Sequence, residues 1–283
     1  MTTYLITGCG SLGTALINEL LKDPNNKIRV LDNSEYALSK IKNENVRKLY
    51  GNITDKDRVR RAVHGIDILI HTAAMKNLEI TEYNVSELIK TNVVGTDNVI
   101  SAAVEAGVPK IIFISSDKAV EPTSIYGASK LMGEHTAINY NQTSAPISRV
   151  SIFRSGNFMN SSGNVFETWK TQLEQKQQLT ITDLKCMRYF IDTNVAAKTI
   201  LKCISVMTGS EIFIPDEIIM KEELIIDLVK RFANENNINS KELNIIITGL
   251  RNGEKLSEKL FTADESTRKT YNKKFNCYVI SNR

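Results

Sequence analysis

The sequence predicts an α/β fold: a Rossmann-type, doubly wound parallel sheet with a smaller C-terminal substrate lobe. Short apolar runs alternate with longer helical patterns through residue 153, which is typical of parallel strands joined by crossover helices. A glycine-rich turn at Gly8–Gly13 joins the first apolar run to the first helical pattern. After Arg154 the alternation is replaced by loops and shorter segments, which indicates a second, smaller unit.

The predicted strands of the main sheet are short runs rich in Ile, Val and Leu. They are expected at Tyr4–Thr7, Ile28–Leu31, Val46–Tyr50, Ile66–His71, Ile111–Ser115 and Ile147–Phe153. The helices between them are expected at Leu12–Leu21, Ala37–Ile41, Asp57–Val63, Tyr83–Ala106 and Ser124–Tyr140. Gly107 and Pro109 form a stop signal for the long helix that precedes them.

The C-terminal part contains weaker patterns of both kinds. Helices are expected at Asn164–Glu174, Asn194–Val206 and Glu222–Phe232. Short strands are expected at Leu179–Ile181, Glu211–Ile214 and Asn244–Thr248. We expect the chain to return to the main sheet near residues 189–213.

Composition argues against several classes of function. With 36 Lys and Arg against 32 Asp and Glu, the net charge is only +4, and the scattered cations form no stripe for nucleic acid. The four cysteines show no Cys-x-x-Cys spacing, which predicts reduced thiols and no metal site. No apolar run approaches the ~18 residues of a membrane span, and the early first strand leaves no room for a signal peptide. A cytoplasmic protein without membrane or nucleic-acid partners is expected.

The turn after the first strand has the Gly-x-Gly-x-x-Gly spacing of a dinucleotide fingerprint. Glycines permit a tight turn and close approach of the backbone to a pyrophosphate, and the N-terminus of the following helix attracts its negative charge. A glycine turn of purely structural origin is the alternative. The residues predicted to bind the cofactor here are Gly8, Gly10, Ser11, Leu12 and Gly13.

An acidic residue follows the second strand. Asp32 lies about twenty residues beyond the fingerprint, where a carboxylate accepts a hydrogen bond from the ribose 2′-hydroxyl of NAD and repels the 2′-phosphate of NADP. The next residue, Asn33, is uncharged, so these residues favour NAD; a helix-capping role for Asp32 is the alternative. Asn52 and Ile53 are expected to lie against the adenine, and Ala73–Ala74 beneath the second ribose.

The stretch SSDKAVEPTSIYGASK, residues 115–130, carries the predicted reactive side chains. Tyr126 and Lys130 share one face of a helix, so the cation can stabilise a phenolate. Lys130 and a nicotinamide cation are expected to lower the pKa of Tyr126 from ~10. Asp117 and Lys118 follow the carboxyl end of a strand, the edge where ligands bind in such sheets. A chance spacing and a loop ion pair are the alternatives.

With these residues the chain resembles the extended short-chain dehydrogenases/reductases. More narrowly, it resembles the inverting UDP-N-acetylglucosamine 4,6-dehydratases of flagellin, capsule and lipopolysaccharide sugar pathways. The resemblance runs nearly end to end. Its motifs are His71–Lys76, Glu82–Asn84, Lys90–Asn92 with Gly95, Ser116–Ala119, Pro122, Tyr126–Lys130, Arg154 with Gly156–Asn157, Thr180–Asp183, Met187–Phe190 and Gly249–Leu256.

The pair Asp117-Lys118 is the specific part of this resemblance, because retaining hexose dehydratases carry Asp-Glu there and simple 4-epimerases lack the pair. The resemblance implies that Tyr126 takes the proton of the C4 hydroxyl while Ser116 hydrogen-bonds the C4 oxygen. It further implies that Lys118 removes the C5 proton and that Asp117 protonates the departing C6 hydroxyl. The implied catalytic residues are Ser116, Asp117, Lys118, Tyr126 and Lys130.

The resemblance also implies a set of binding residues. Those expected at the substrate are Lys76, Arg154, Asn157, Thr182, Arg188, Arg251 and Glu254. Arginines suit this place because their forked donors match pyrophosphate oxygens. Lys76, Asn92, Tyr126 and Lys130 are added to the cofactor site. The resemblance leads us to expect the Ser-Arg of NADP-binding relatives where this chain has Asp32-Asn33. The resemblance therefore favours tightly bound NADP, the residues favour NAD, and both remain open.

The expected function is dehydration of UDP-N-acetylglucosamine (UDP-GlcNAc) with inversion at C5, giving UDP-2-acetamido-2,6-dideoxy-β-L-arabino-hex-4-ulose for deoxy-amino-sugar biosynthesis. The alternatives are a UDP-sugar C4-epimerase or 4-keto reductase of the same family, and a non-catalytic dinucleotide-binding redox sensor. The helices at 83–106 and 124–140 resemble those that pair in family dimers, so a homodimer or higher homo-oligomer is expected. Residues 1–153 and 189–213 are assigned to the dinucleotide-binding domain, and residues 154–188 and 214–283 to the nucleotide-sugar lobe.

Overall fold

The computed structural model describes residues 1–143, 147–161, 163–175, 177–238 and 244–281 of the chain. Its strands are β1 (Thr2–Thr7), β2 (Asn26–Asp32), β3 (Val46–Tyr50), β4 (Ile68–His71), β5 (Lys110–Ser116), β6 (Arg149–Ser155), β7 (Asn157–Phe158), β8 (Leu179–Ile181), β9 (Met187–Ile191), β10 (Glu211–Pro215), β11 (Met220–Leu224), β12 (Ile245–Ile247), β13 (Lys269–Asn272) and β14 (Cys277–Ser281). Its helices are α1 (Ser11–Leu20), α2 (Glu35–Lys40), α3 (Lys56–Val63), α4 (Leu78–Tyr83), α5 (Val85–Leu88), α6 (Gly95–Glu105), α7 (Ile125–Thr143), α8 (Val165–Glu174), α9 (Thr193–Val206), α10 (Ile225–Glu235) and α11 (Ala263–Arg268).

The main sheet, as far as the described residues extend, runs in the order β13-β14-β10-β6-β5-β4-β1-β2-β3. The strands from β10 to β3 are parallel, whereas β14 and β13 are antiparallel to their neighbours. Its central strands are buried along most of their length, which is typical of a parallel sheet covered by helices on both faces. The predicted doubly wound α/β fold is confirmed.

The strand order places the carboxyl ends of three strands side by side. β1 lies between β2 and β4, where the strand order reverses, and β5 lies beyond β4. Gly8, Thr72 and Ser116 stand at or just after the ends of β1, β4 and β5. Ligands of open α/β sheets bind in the crevice at such a reversal, so the fold brings the predicted cofactor and catalytic segments to one edge.

The long helix predicted for residues 83–106 is divided into several pieces. Asn84, with φ −127° and ψ 48°, interrupts the helical backbone between α4 and α5. A π-helical segment, Ile89–Val94, then joins α5 to α6. Such a segment changes which side chain faces inward, and here Asn92 is buried. Gly107, with φ +70°, follows α6 at the predicted stop.

The C-terminal lobe contains two small sheets and its own apolar core around Trp169 and Phe232. The helix predicted at Glu222–Phe232 is wrong in its first turn, because Met220–Leu224 pairs antiparallel with Met187–Ile191 and α10 begins only at Ile225. Exposed and buried residues alternate too weakly in this stretch for sequence to separate strand from helix.

The assigned domain limits are wrong in two places. Lys269–Asn272 and Cys277–Ser281 were assigned to the lobe but extend the main sheet beside β10. Tyr189–Ile191 was assigned to the dinucleotide domain but lies in a small sheet with β7 and β11. In both cases long-range pairing, not local pattern, determines the location of the strand.

None of the helices in the described ranges is both long and apolar enough to cross a membrane. The cytoplasmic location stays a prediction. Tyr83 on α4 and Met132 on α7 are exposed to 87% and 53%, on the two helical regions predicted to pair between subunits. The homodimer also stays a prediction, which light scattering of the purified chain would test.

Candidate active site

A cleft with a volume of about 600 Å³ lies at the carboxyl ends of β1, β2 and β4. Nearly all residues predicted to bind the cofactor line it. These are Gly8, Gly10, Ser11, Leu12, Gly13, Asp32, Asn33, Asn52, Ile53, Ala73, Ala74, Lys76, Tyr126 and Lys130. Asn92 stands behind the cleft wall, where its amide accepts from the Met75 N–H and donates to the Met75 carbonyl, both at 2.8 Å.

The glycine turn needs glycine at two of its positions. Gly8 has φ +87°, and a Cβ there would lie 2.9 Å from the Ala73 backbone. A Cβ on Gly13 would lie 2.1 Å from the Gly8 carbonyl oxygen. A Cβ on Gly10, by contrast, would meet no atom within 4 Å. Gly10 borders the cleft and precedes α1, so open space lies before the helix N-terminus, as binding of a pyrophosphate requires.

Asp32 is held in place by the glycine turn. Its Oδ2 accepts from the Cys9 N–H at 2.7 Å and from the Cys9 thiol at 3.3 Å, while its Oδ1 accepts from the Ser34 N–H at 2.7 Å. Burial and the Asp32 charge raise the pKa of Cys9 to about 12, so the thiol remains a donor. The sequence showed no signal for this bond, because Cys9 occupies a variable position of the fingerprint.

The catalytic tyrosine and lysine predicted on α7 are both buried. Burial raises the pKa of Tyr126, and the Asp117 charge raises it further. A hydrogen bond with Ser116 has the opposite, smaller effect and lowers this pKa. The predicted lowering by Lys130 together with a nicotinamide cation concerns the cofactor-bound protein and stays a prediction. Lys130 Nζ donates to the Ile114 carbonyl at 2.8 Å, and burial lowers the pKa of Lys130 to about 8 although Glu134 raises it.

The buried Asp117 and the partly buried Lys118 form an ion pair in the 3₁₀ turn that follows β5. Lys118 Nζ lies 3.1 Å from Asp117 Oδ1, and Ser116 Oγ donates to the same oxygen at 2.9 Å. Asp117 is fully buried, and among the described residues its Oδ2 has no hydrogen-bond partner. The described part of the protein therefore leaves one oxygen of this buried carboxylate without a donor. The alternative, a loop ion pair of no functional consequence, would instead place the carboxylate in solvent.

Several of the residues predicted to bind substrate contact one another within the C-terminal lobe. Arg188 Nη2 donates to Glu254 Oε1 at 2.7 Å, and Thr182 Oγ1 donates to the same oxygen at 3.2 Å. Glu254 Oε2 accepts from the Arg251 N–H at 3.2 Å, while the Arg251 side chain is exposed. Asn157 accepts from Lys118 Nζ at 3.4 Å and donates to the Tyr189 carbonyl at 3.3 Å.

The assignment of Arg154 to substrate binding is wrong. Its guanidinium is 2% exposed, and it donates to Glu134 at 2.7 and 2.9 Å, to Glu265 at 2.8 Å twice, and to the Leu260 carbonyl at 2.9 Å. All five N–H donors of the side chain are thereby used inside the protein. Arg154 joins β6 and α7 to the segment around α11 instead of a pyrophosphate.

Arg154→Ala is expected to lower the free energy of unfolding by about 3 to 5 kcal/mol, because it leaves Glu134 and Glu265 buried without their cation. Urea denaturation would measure the change. Arg60→Ala is a matched control, since Arg60 pairs with Glu105 at 3.1 Å on the surface, where such pairs contribute about 1 kcal/mol or less. Equal losses in the two variants would contradict a structural role for Arg154.

Some residues of the site were missed. Phe158 and Ser161 line the cleft, and their only sequence signal was their position just after Gly156-Asn157. Glu258 lies next to Lys118 and Lys255 pairs with Glu258; neither carried a signal as a charged partner of this site, because more than a hundred residues separate them from Lys118.

A family model described as a polysaccharide biosynthesis protein matches residues 4–280 of the chain. The UDP-N-acetylglucosamine 4,6-dehydratase (inverting) of Campylobacter jejuni subsp. jejuni serotype O:23/36 (strain 81-176) is 38% identical over 270 residues, which cover 93% of this chain and 78% of that protein. A UDP-glucose 4-epimerase of Rickettsia rickettsii (strain Sheila Smith) is 30% identical over 273 residues, with the same coverages of 93% and 78%. The X-ray structure of Pen from Bacillus thuringiensis superimposes with a TM-score of 0.91 at 32% identity, covering 99% of this chain and 88% of that one.

Proposed function

We propose a function for this chain from the family to which it belongs, the polysaccharide biosynthesis proteins. The chain is proposed to be a UDP-GlcNAc 4,6-dehydratase that inverts C5 and forms UDP-2-acetamido-2,6-dideoxy-β-L-arabino-hex-4-ulose. The buried pair of Asp117 and Lys118 carries this proposal, because it sets an acid and an amine beside Tyr126. The Campylobacter relative, whose name states this reaction, supports both the substrate and the inversion.

A nicotinamide dinucleotide is the cofactor that fits the cleft. The open space before α1 suits its pyrophosphate, and Asp32 suits a ribose hydroxyl. When bound, this cofactor would accept hydride from C4 of the sugar and return it to C6. Tyr126 and Lys130 line the same cleft and would face its nicotinamide end.

We expect the chain to bind NAD⁺ at least about tenfold more tightly than NADP⁺, a difference of about 1.4 kcal/mol. The reason is the Asp32 carboxylate, which the Cys9 and Ser34 N–H groups fix in place and which would repel a 2′-phosphate. Calorimetric titration of nucleotide-depleted protein would measure both affinities. Asp32→Ser combined with Asn33→Arg should reverse the order, and the exposed Asp57→Ser should change neither affinity. Equal binding of both nucleotides by the unmodified chain would contradict the assignment.

The chain's own residues would move the protons. Tyr126 would take the proton of the C4 hydroxyl, with the Lys130 ammonium on the same helix face stabilising the phenolate. Ser116, already bonded to Asp117, would hydrogen-bond the C4 oxygen. Because burial favours the protonated phenol in the chain alone, Tyr126 would first release its own proton to solvent and then act as the phenolate base.

Elimination requires a base and an acid from one ion pair. Transfer of a proton from the Lys118 ammonium to the Asp117 carboxylate, across their 3.1 Å contact, would create the amine and the carboxylic acid together. The amine would take the C5 proton, and the acid would protonate the C6 hydroxyl, which leaves as water. Reprotonation of C5 from the opposite face, by a proton from solvent, would invert that carbon.

The test is incubation with UDP-GlcNAc in deuterium oxide, without added nucleotide, followed by NMR of C5 and C6. The expected product has lost water, carries deuterium at C5 and has the L-configuration there. A product that keeps its water would exclude dehydration, and one with the D-configuration at C5 would exclude inversion.

A second candidate is a UDP-sugar C4-epimerase, which the match to the Rickettsia relative favours. An epimerase would change the configuration at C4 without losing water and without taking deuterium at C5. A 4-keto reductase would instead consume reduced nicotinamide. A redox sensor would bind the dinucleotide and turn over no UDP-sugar. The same experiment therefore separates the dehydratase from the epimerase, and a second incubation of a 4-keto sugar nucleotide with reduced nicotinamide separates the reductase from the sensor.

A further inference from the structure

A buried carboxylate from the C-terminal lobe lies against the Asp117–Lys118 pair. Glu258 is 5% exposed, and its Oε1 lies 3.7 Å from Lys118 Nζ. Its Oε2 lies 3.3 Å from Lys255 Nζ. A buried carboxylate is costly unless it is paired, so Glu258 is stabilised by two cations, one of which is the amine at the reactive pair.

The segment that carries Glu258 is also attached to the turn that carries Lys118. Lys255 Nζ donates to the Val120 carbonyl at 2.8 Å. Lys118 Nζ thus lies among three oxygens from three parts of the chain: Asp117 Oδ1 at 3.1 Å, Asn157 Oδ1 at 3.4 Å and Glu258 Oε1 at 3.7 Å. This arrangement limits where the amine can point.

We infer that Glu258 is a positioning residue for Lys118, whose carboxylate holds the amine at the end of β5 and favours its charged form between turnovers. The inference rests on the proposed function only in treating Lys118 as the C5 base. Glu258 would then affect the Lys118 amine in two separate ways. The length of the side chain determines where the amine lies, and its charge determines the pH at which the amine loses its proton.

The effect of charge has a definite sign. A negative group near an ammonium favours the charged form, so removing the Glu258 charge should release the proton at lower pH. In the described part of the chain, Asp117 and Glu258 are the carboxylates within 4 Å of Lys118 Nζ. The other titratable groups that face this cluster are Lys255, Tyr126 on α7, Tyr189 on β9 and Glu222 on β11.

The charge is tested without turnover, by acetylating the substrate-free protein across a pH series and quantifying modified Lys118 by mass spectrometry. Glu258→Gln should shift the midpoint of Lys118 modification to lower pH. Glu258→Asp keeps the charge, so its midpoint of Lys118 modification should stay near that of the unmodified protein. An unchanged midpoint in the folded Gln variant would overturn the inference.

The position is tested by deuterium exchange at C5. Glu258→Asp should slow exchange by about 10- to 100-fold, with KM for UDP-GlcNAc changed by less than about threefold, because the shorter side chain releases the amine. A wild-type rate in this variant would overturn the inference. Since Glu258→Asp retains both ion-pair charges, it provides a test even where Glu258→Gln fails to fold.

Glu121→Gln is the matched control. Glu121 pairs with Lys259 at 2.7 Å on the surface, so it links the same two segments and carries the same charge, but it does not contact Lys118. We expect an unchanged midpoint and an unchanged exchange rate; equal effects in Glu121→Gln and Glu258→Gln would overturn a specific role. Absence of UDP-GlcNAc turnover in the unmodified protein would reject the proposed function, whereas the labelling shift would still report on the Glu258–Lys118 contact.

Discussion

Lys118→Ala is expected to lower dehydration of UDP-GlcNAc by at least about 10³-fold while leaving binding of the nucleotide and the sugar intact. General-base catalysis alone contributes about 10² to 10⁴-fold, and this variant removes the amine that we propose as the base at C5. NMR in deuterium oxide would follow both loss of water and deuterium at C5, and calorimetry would follow binding.

Two further variants define this prediction. Lys118→Arg keeps a cation beside Asp117 but supplies no base at neutral pH, so it should be inactive as well. Lys259→Ala removes an exposed lysine whose ion pair with Glu121 joins the same two segments, and it should remain active. Substantial C5 exchange in Lys118→Ala would show that another group is the base and would remove the main support for inversion by this pair.

Tyr126→Phe is expected to abolish the first oxidation, again by at least about 10³-fold, because no other hydroxyl on α7 lines the same cleft in the described residues. Phenylalanine retains the ring that packs in this buried position, so the fold should persist. Stopped-flow absorbance of the reduced nicotinamide would measure the loss on mixing with UDP-GlcNAc.

The same variant should retain one partial reaction. When supplied with the 4-keto derivative of UDP-GlcNAc in which C5 still has the D-configuration, Tyr126→Phe should still exchange the C5 proton, since that step is assigned to Lys118. Tyr140→Phe is the control on the same helix; it removes a hydroxyl bonded to Asp97 at 3.0 Å, and full activity is expected. Loss of C5 exchange in Tyr126→Phe would mean that the tyrosine and the Asp117–Lys118 pair do not act separately.

The cofactor cleft was predictable because its chemistry is local in sequence. Gly8, Gly10 and Gly13 act through backbone shape in one turn, and Asp32 follows a strand that pairs directly with β1. Parallel strands meet at the same edge, so segments far apart in the chain could be placed together once the strands were recognised. The hydrogen bonds from Cys9 to Asp32 could not be predicted from sequence, because they depend on how closely the glycine turn packs against the end of β2.

Arg154 shows where motif matching failed. An arginine in a family motif is equally consistent with a phosphate ligand and with a buried ion pair, since the guanidinium binds either carboxylates or phosphates with the same geometry. Only packing of α7 and α11 against β6 shows that its donors are used by Glu134 and Glu265. Thr182, Arg188 and Glu254, from related motifs, are brought together.

The sequence by itself predicted the fold class, the cofactor cleft and the pair that we propose as reactive, because each depends on short-range pattern: strand periodicity, a glycine turn, and Asp117-Lys118 at a strand end. The tertiary structure alone decided which charges face one another. It placed Glu258 beside Lys118 and Lys255 beside Glu258, buried Arg154 between two acids, and returned residues 269–281 to the main sheet. The physical reason is that ion pairing and strand pairing act over a few ångströms in space, whatever the distance along the chain.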